Sequence, residues 1–258
     1  MPLLDHLREF KRRVVISAVA IVIGAIVGWI YYPWLIGQLM HPLIALRTGR
    51  AGDGSLITVN FPGFTDAFTT QINVSLFSGI VLTSPIWVYE IWAFIVPGLT
   101  RKEKRTAIAF LIVSVPLFLT GCYIAYLVVP KAVEVLIGFT PEGASNITQA
   151  TMYLAFILKF MLAFGVAFLV PVFLVALNMA KILPGRVMLR TWRPAVVALL
   201  IFAAIMTPTP DAYTMLFLAA PMIALYFVAV GISLLMDRRR AKSDPEWLKT
   251  PDDQASAL

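Results

Sequence analysis

Residues 14–35 read VVISAVAIVIGAIVGWIYYPWL, a run of 22 without a charged side chain. An α-helix rises ~1.5 Å per residue, so roughly 20 such residues cross the ~30 Å hydrocarbon core of a bilayer. The run follows Arg8, Lys11, Arg12 and Arg13, as a leader peptide would. It is too long for a leader, however, and ends in bulky Trp29-Ile30-Tyr31-Tyr32-Pro33-Trp34 where a cleavage site needs small residues. It reads as a retained membrane span.

Three further runs qualify: 67–95, 106–130 and 151–180, the last with a single charge at Lys159. The apolar region after Arg193 is interrupted by Met206-Thr207-Pro208-Thr209-Pro210-Asp211, whose two prolines and acid signal a turn. That leaves 194–206 as a fifth helix of only about 20 Å and 212–236 as a sixth. The short fifth either thins the bilayer locally or forms a re-entrant hairpin with the sixth. Both routes return the tail to the side on which the chain began.

Composition agrees. Hydrophobic residues make up 60% of the 258, charged residues 14%, and mean hydropathy is +0.85, which excludes an ordinary soluble domain. The net charge of +7 would suit a nucleic-acid binder if the positives formed a patch, but they sit in short segments between apolar runs. One side takes the N-terminus, Arg101, Lys102, Lys104 and Arg105, then Lys181, Arg186, Arg190 and Arg193, then the tail from Arg238. The count is 17 lysines and arginines there against Arg47, Arg50 and Lys131 opposite. Because cytoplasmic loops retain positive residues, the expectation is an all-α integral membrane protein with six transmembrane helices and both ends cytoplasmic. An interfacial helix at about 3–13 precedes the spans, residues 1–236 form one domain, and 237–258 form a solvated, poorly ordered tail.

Cys122 is the only cysteine, and His6 and His41 are the only histidines, both outside the spans. No metal-ligand cluster, HExxH motif or phosphate-binding loop occurs, so neither a cofactor nor catalysis is expected. The chemistry that remains is acidic. Glu9, Glu90 and Glu103 all fall at the cytoplasmic level of an otherwise basic face, beside Trp87, Tyr89 and Trp92. For the aromatics an interfacial belt is the plain explanation, and for Glu103 a local ion pair among its basic neighbours. Lys11 and Arg13 equally suit a surface of anionic lipid. Convergent carboxylates beside aromatics nonetheless make a site for a cationic ligand, above all for guanidinium groups, which take paired hydrogen bonds. Lys159, about 12 Å into its span, either snorkels to the outer interface or faces water or a partner. Asp211 at the outer turn reads as the N-cap of the sixth helix.

Leu4-Asp5-His6-Leu7-Arg8-Glu9 with its basic sequel, Ser84-Pro85 with Tyr89 through Gly98-Leu99, and Glu103-Lys104-Arg105 together resemble the TatC family. So do Thr140-Pro141-Glu142-Gly143, Phe164-Gly165 with Phe168 and Pro171, and Thr207-Pro208 leading to Asp211. TatC is the multispanning receptor subunit of the twin-arginine protein translocase, and the likeness runs in order from Leu4 to about Met236. It implies a six-helix bundle, concave on one side, in a prokaryotic inner membrane. It implies recognition of the twin-arginine signal peptides of folded cargo by Glu9, Phe94 and Glu103; Lys11, Arg13 and Glu90, at the same level of the chain, are the candidates for a supporting part. The partners implied are single-span TatA- and TatB-type subunits and further copies of the chain; nucleic acid is not among them. The energy source implied is the proton-motive force, and no enzyme activity is expected. Three positions depart from the family pattern: Phe10-Lys11 after the N-terminal acid, Leu169 where many members carry a carboxylate, and Met215 where a polar amide is common. An ion- or proton-coupled small-molecule transporter is the competing function, motivated by Lys159 and the uncharged spans.

Overall fold

The computed structural model describes residues 3–49, 58–95, 101–138, 147–179, 181–206 and 212–243. Along the chain these form α1 (Leu3–Ile30), α2 (Tyr32–Gly49), β1 (Thr58–Asn60), α3 (Asp66–Leu82), α4 (Ser84–Ile95) and α5 (Arg101–Gly138). There follow β2 (Ile147–Gln149), α6 (Ala150–Met179), α7 (Gly185–Arg190), α8 (Trp192–Met206) and α9 (Ala212–Ser243). Among the described residues four helical segments are long and apolar enough to cross a bilayer: Asp5–Ile30, Phe110–Lys131, Ala150–Met179 and Ala219–Arg240. α3 and α4 reach the length of a span only when taken together, as a pair bent by 60°, and the apolar Trp192–Ile205 is shorter than a span.

Several boundaries differ from the sequence reading. The interfacial helix of 3–13 is not a separate element, because Phe10-Lys11-Arg12-Arg13-Val14 changes polarity without a glycine, proline or cap to stop the helix. The first span yields at Tyr31 instead of 35, two residues before Pro33, and α2 continues where hydropathy places only a loop. The 67–95 run breaks at Thr83, whose carbonyl accepts from the amides of both Ile86 and Trp87 while Pro85 offers no N–H. A parallel pair of three-residue strands, Thr58 to Asn60 against Ile147 to Gln149, ties the segment after α2 to the segment before α6.

In hydrocarbon, apolar burial gives little drive to helix association, so close backbone approach and dispersion must supply it. α1 and α3 meet through small residues. A Cβ added to Gly79 would lie 2.5 Å from the carbonyl oxygen of Ile21, and one on Gly24 2.8 Å from the methyl of Thr83. Gly28 faces Ser78 in the same way, four residues along from Gly24. Ser78 and Thr83 point their hydroxyls back to the carbonyls of Ser75 and Gly79, which satisfies those two hydroxyls inside the contact.

α6 is the helix around which the others gather, packed by α5, α9 and α3. Phe156, Phe160, Phe164 and Phe168 recur every fourth residue, so their rings stack along one face with successive centroids 5.4, 4.8 and 6.5 Å apart. Gly121 and Gly165 let α5 approach; a Cβ on Gly165 would stand 2.6 Å from the ring of Phe118.

The tail expected from 237 onward begins inside α9, because Asp237 and Arg240 bind the end of α6. Asn178 Nδ2 and the amide of Gly185 donate to the Asp237 carboxylate at 2.9 and 2.7 Å. Arg240 donates to the carbonyls of Asn178 and Met179, each at 3.0 Å, filling acceptors that a helix C-terminus leaves open. Residues 244–258 lie outside the described part.

Replacing Gly79 by alanine forces α1 and α3 apart. Thermal unfolding of the detergent-solubilised protein should show a loss of about 1–3 kcal/mol. Gly231→Ala, where nothing lies within 4 Å of the added carbon, should leave the midpoint unchanged or raise it. Equal midpoints for the two variants would rule out the close crossing.

Candidate functional site

The start of α1 and the end of α4 come together at one end of the bundle. Glu9 and Arg13 stand one helical turn apart on α1, and Glu90 reaches them from α4. Arg13 Nε and Nη2 donate to Glu9 Oε1 at 3.1 and 2.6 Å, and Nη1 donates to Glu90 Oε2 at 2.9 Å. Their side chains are 29% (Glu9), 22% (Arg13) and 12% (Glu90) exposed, so the pairs are shielded from water more than surface ion pairs are. Glu9, Arg12, Arg13, Ile16, Tyr89 and Glu90 line a cleft of about 250 Å³.

Aromatic rings close the neighbouring side. Phe94 stacks on His6 with centroids 4.7 Å apart and meets Phe10 at 5.2 Å, so both α1 rings lie against it. The opposite face of α4 is fixed by Trp92, whose indole lies between Phe110 of α5 and Phe173 of α6 at 5.0 and 4.9 Å. Trp92 Nε1 donates to Ser114 Oγ, and the side chain is 2% exposed. The indole therefore locks the helix that carries Glu90 and Phe94 to the central bundle, the arrangement by which aromatic packing sets a neighbouring site.

The structure thus gathers Glu9, Arg13, Glu90 and Phe94 from the sequence-predicted set. Lys11 is exposed and makes no ion pair among the described residues. Glu103 lies in the first turn of α5, and its side chain falls outside the described part, as does Asp211 altogether. Lys159 is exposed on α6, on a stripe with Met152 and Val166 seven residues to either side. Leu169, at the position of a common family carboxylate, is buried with Phe118 and Cys122, an apolar setting in which an ionised acid would need a partner. Met215 packs against the main core. His6, Phe10 and the anchoring role of Trp92 escaped the sequence reading. The spacing of residues 6, 9, 10 and 13 on one helical face is the signal that could have found the first two. Among the described residues no three His, Cys, Asp or Glu side chains gather as a metal site.

Fold and site define a multi-pass helical membrane protein that presents a cleft with two paired carboxylates at one end of its bundle, next to a cluster of aromatic rings. The profile of the family described as Sec-independent protein translocase protein (TatC) matches residues 5–221. The Sec-independent protein translocase protein TatC of Xylanimonas cellulosilytica is 46% identical over 239 residues, covering 93% of this chain and 86% of that protein. That of Frankia casuarinae is 37% identical over 266 residues, covering 100% and 73% respectively. A crystal structure described as the twin-arginine translocase receptor TatC in DDM aligns with a TM-score of 0.77 at 29% identity, over 88% of this chain and 99% of that one. This chain belongs to the TatC family and is a non-enzymatic component of the twin-arginine translocase, functioning in the membrane with other Tat subunits.

Because Trp92 holds α4 in place, Trp92→Ala should cost about 3–5 kcal/mol of stability in a detergent unfolding experiment. Trp34→Ala, at an indole 63% exposed, should change it by no more than about 0.5 kcal/mol. Comparable losses for the two would refute the anchoring role.

Proposed function

We propose that the α1–α4 cleft, with the first turn of α5, is the surface on which this chain reads the twin-arginine signal peptides of folded cargo. The observation that carries the proposal is the guanidinium of Arg13, held by Glu9 and Glu90 on the same two helices that bring Phe94 against His6 and Phe10. The cleft has the fork-shaped acidic geometry that arginine demands and a lysine ammonium does not match. Glu103 joins it from the loop side by its place in the sequence, and Lys11 contributes to the charge of the rim. The crystal structure it resembles is described as a twin-arginine translocase receptor, which supports the same role here.

The accompanying topology is six spans in a bacterial inner membrane, concave on one side, with both termini cytoplasmic and residues 1–236 as the membrane domain. The arginine and lysine asymmetry supports it. So do three contacts. Arg13 joins the start of α1 to the end of α4, β1 with β2 brings the segments after α2 and before α6 to one level, and Asp237 joins the ends of α6 and α9. TatA- and TatB-type single-span subunits and further copies of the chain complete the translocase, and the proton-motive force drives export.

In a binding assay with the full-length protein in nanodiscs, Glu9→Ala and Glu103→Ala should each weaken a twin-arginine peptide by roughly one to two orders of magnitude. A paired-lysine peptide should bind poorly throughout, and undiminished binding by both variants would refute the site. For topology, a cysteine replacing Arg239 should react with an impermeant maleimide in inside-out vesicles and stay silent in intact spheroplasts. Native Cys122 is buried and gives little background.

A further inference from the structure

Arg13 occupies the position of a ligand. Three of its donors engage Glu9 Oε1 and Glu90 Oε2, on two helices and 77 residues apart in sequence for the Glu90 pair. Glu9 Oε2 and Glu90 Oε1 receive no hydrogen bond among the described residues. Arg12 lines the same cleft, is exposed, and makes no ion pair among the described residues. Two adjacent arginines of one chain therefore behave differently. One adds charge to the rim, and the other fills the acidic fork.

We propose that Arg13 is a resident competitor, an internal guanidinium that an arriving peptide must displace from Glu9 and Glu90, so that it sets the affinity threshold of the site. The proposal rests on the reading of the cleft as a twin-arginine site and deepens it. A carboxylate pair already holding an arginine exchanges like for like. A peptide with one guanidinium replaces Arg13 in the fork and gains little. A peptide with two fills the fork and has a second group for Glu9 Oε2 and Glu90 Oε1. Only the second case has a surplus over the resident pair; the resident contact lowers both affinities by the same factor, so the weaker ligand is the one that falls below the threshold.

Occupancy by Arg13 lowers apparent affinity by the fraction of molecules in which the fork is free, so its removal should tighten binding. The experiment uses the full-length protein in nanodiscs of neutral lipid and fluorescent peptides with Arg-Arg, Lys-Arg and Lys-Lys pairs. Arg13→Gln is expected to bind the Arg-Arg and Lys-Arg peptides about tenfold more tightly than the native chain. Arg12→Gln removes the same unit of charge from the cleft without freeing the fork, and should shift both by no more than about twofold. Arg13→Lys keeps the charge but loses the fork, and should tighten binding by about threefold, an intermediate value that also serves if Arg13→Gln does not assemble. Unchanged or weaker binding by the Arg13 variants, or an equal gain from Arg12→Gln, overturns the competitor. Failure of the native chain to bind the Arg-Arg peptide would instead remove the recognition site itself, and the competitor with it.

Discussion

Helices surrounded by lipid tails cannot rely on water to push them together, so the distance at which their backbones meet becomes the controlling quantity. In this chain that distance is set by glycine and small hydroxyl residues. Gly24, Gly28 and Gly79 bring α1 onto α3, and Gly121 and Gly165 bring α5 onto α6. Everything at the ends of the helices inherits its position from those crossings. The first places Glu9 and Arg13 within reach of the segment that follows α3. The second, through Phe110, Phe173 and the indole of Trp92, fixes the far side of that segment.

On the proposed function, the cleft is where a face dominated by lysine and arginine recognises arginine. Its acids are few, but they converge, are partly shielded, and are held in register by an arginine of the chain itself. Long-range attraction of a cationic segment to such a face is weak or negative. Recognition must then come from short-range directional bonds and ring contacts, which distinguish a planar guanidinium from an ammonium more sharply than net charge does.

The longest apolar run was legible because hydropathy over 20 residues averages out local accidents: 151–180 and Ala150–Met179 agree to a residue at each end. Breaks within a span were less so. Ser84-Pro85 stood in plain view, yet a proline near the start of a helix is compatible with continuation, and only the carbonyl of Thr83 accepting from both Ile86 and Trp87 reveals the turn. At the other extreme, the polarity change at Arg13-Val14 suggested a boundary where the backbone has none. Pairings across large separations carried no local pattern, among them β1 with β2 and Arg13 with Glu90. Glu9 and Glu90 were legible as acids on the right face, but not as two ligands of one guanidinium. The run from Asp237 to Arg240 was legible as the exit from the membrane. That it continues as helix and returns to Asn178 and Gly185 depends on partners 59 and 52 residues earlier.

That last contact bears on how the protein is made. α6 is the hub of the bundle, but its final turn receives Arg240 and its successor α7 receives Asp237 only after some fifty to sixty further residues have been synthesised, 62 for Asn178 with Arg240 and 52 for Gly185 with Asp237. During biosynthesis the hub enters the membrane with its last carbonyls still bound to water or headgroups, and it is closed only when α9 emerges. A ribosome that stops short of Asp237 therefore releases a chain whose central helix has its partners α3 and α5 but no lock at its end. Such a chain is a natural substrate for membrane quality control.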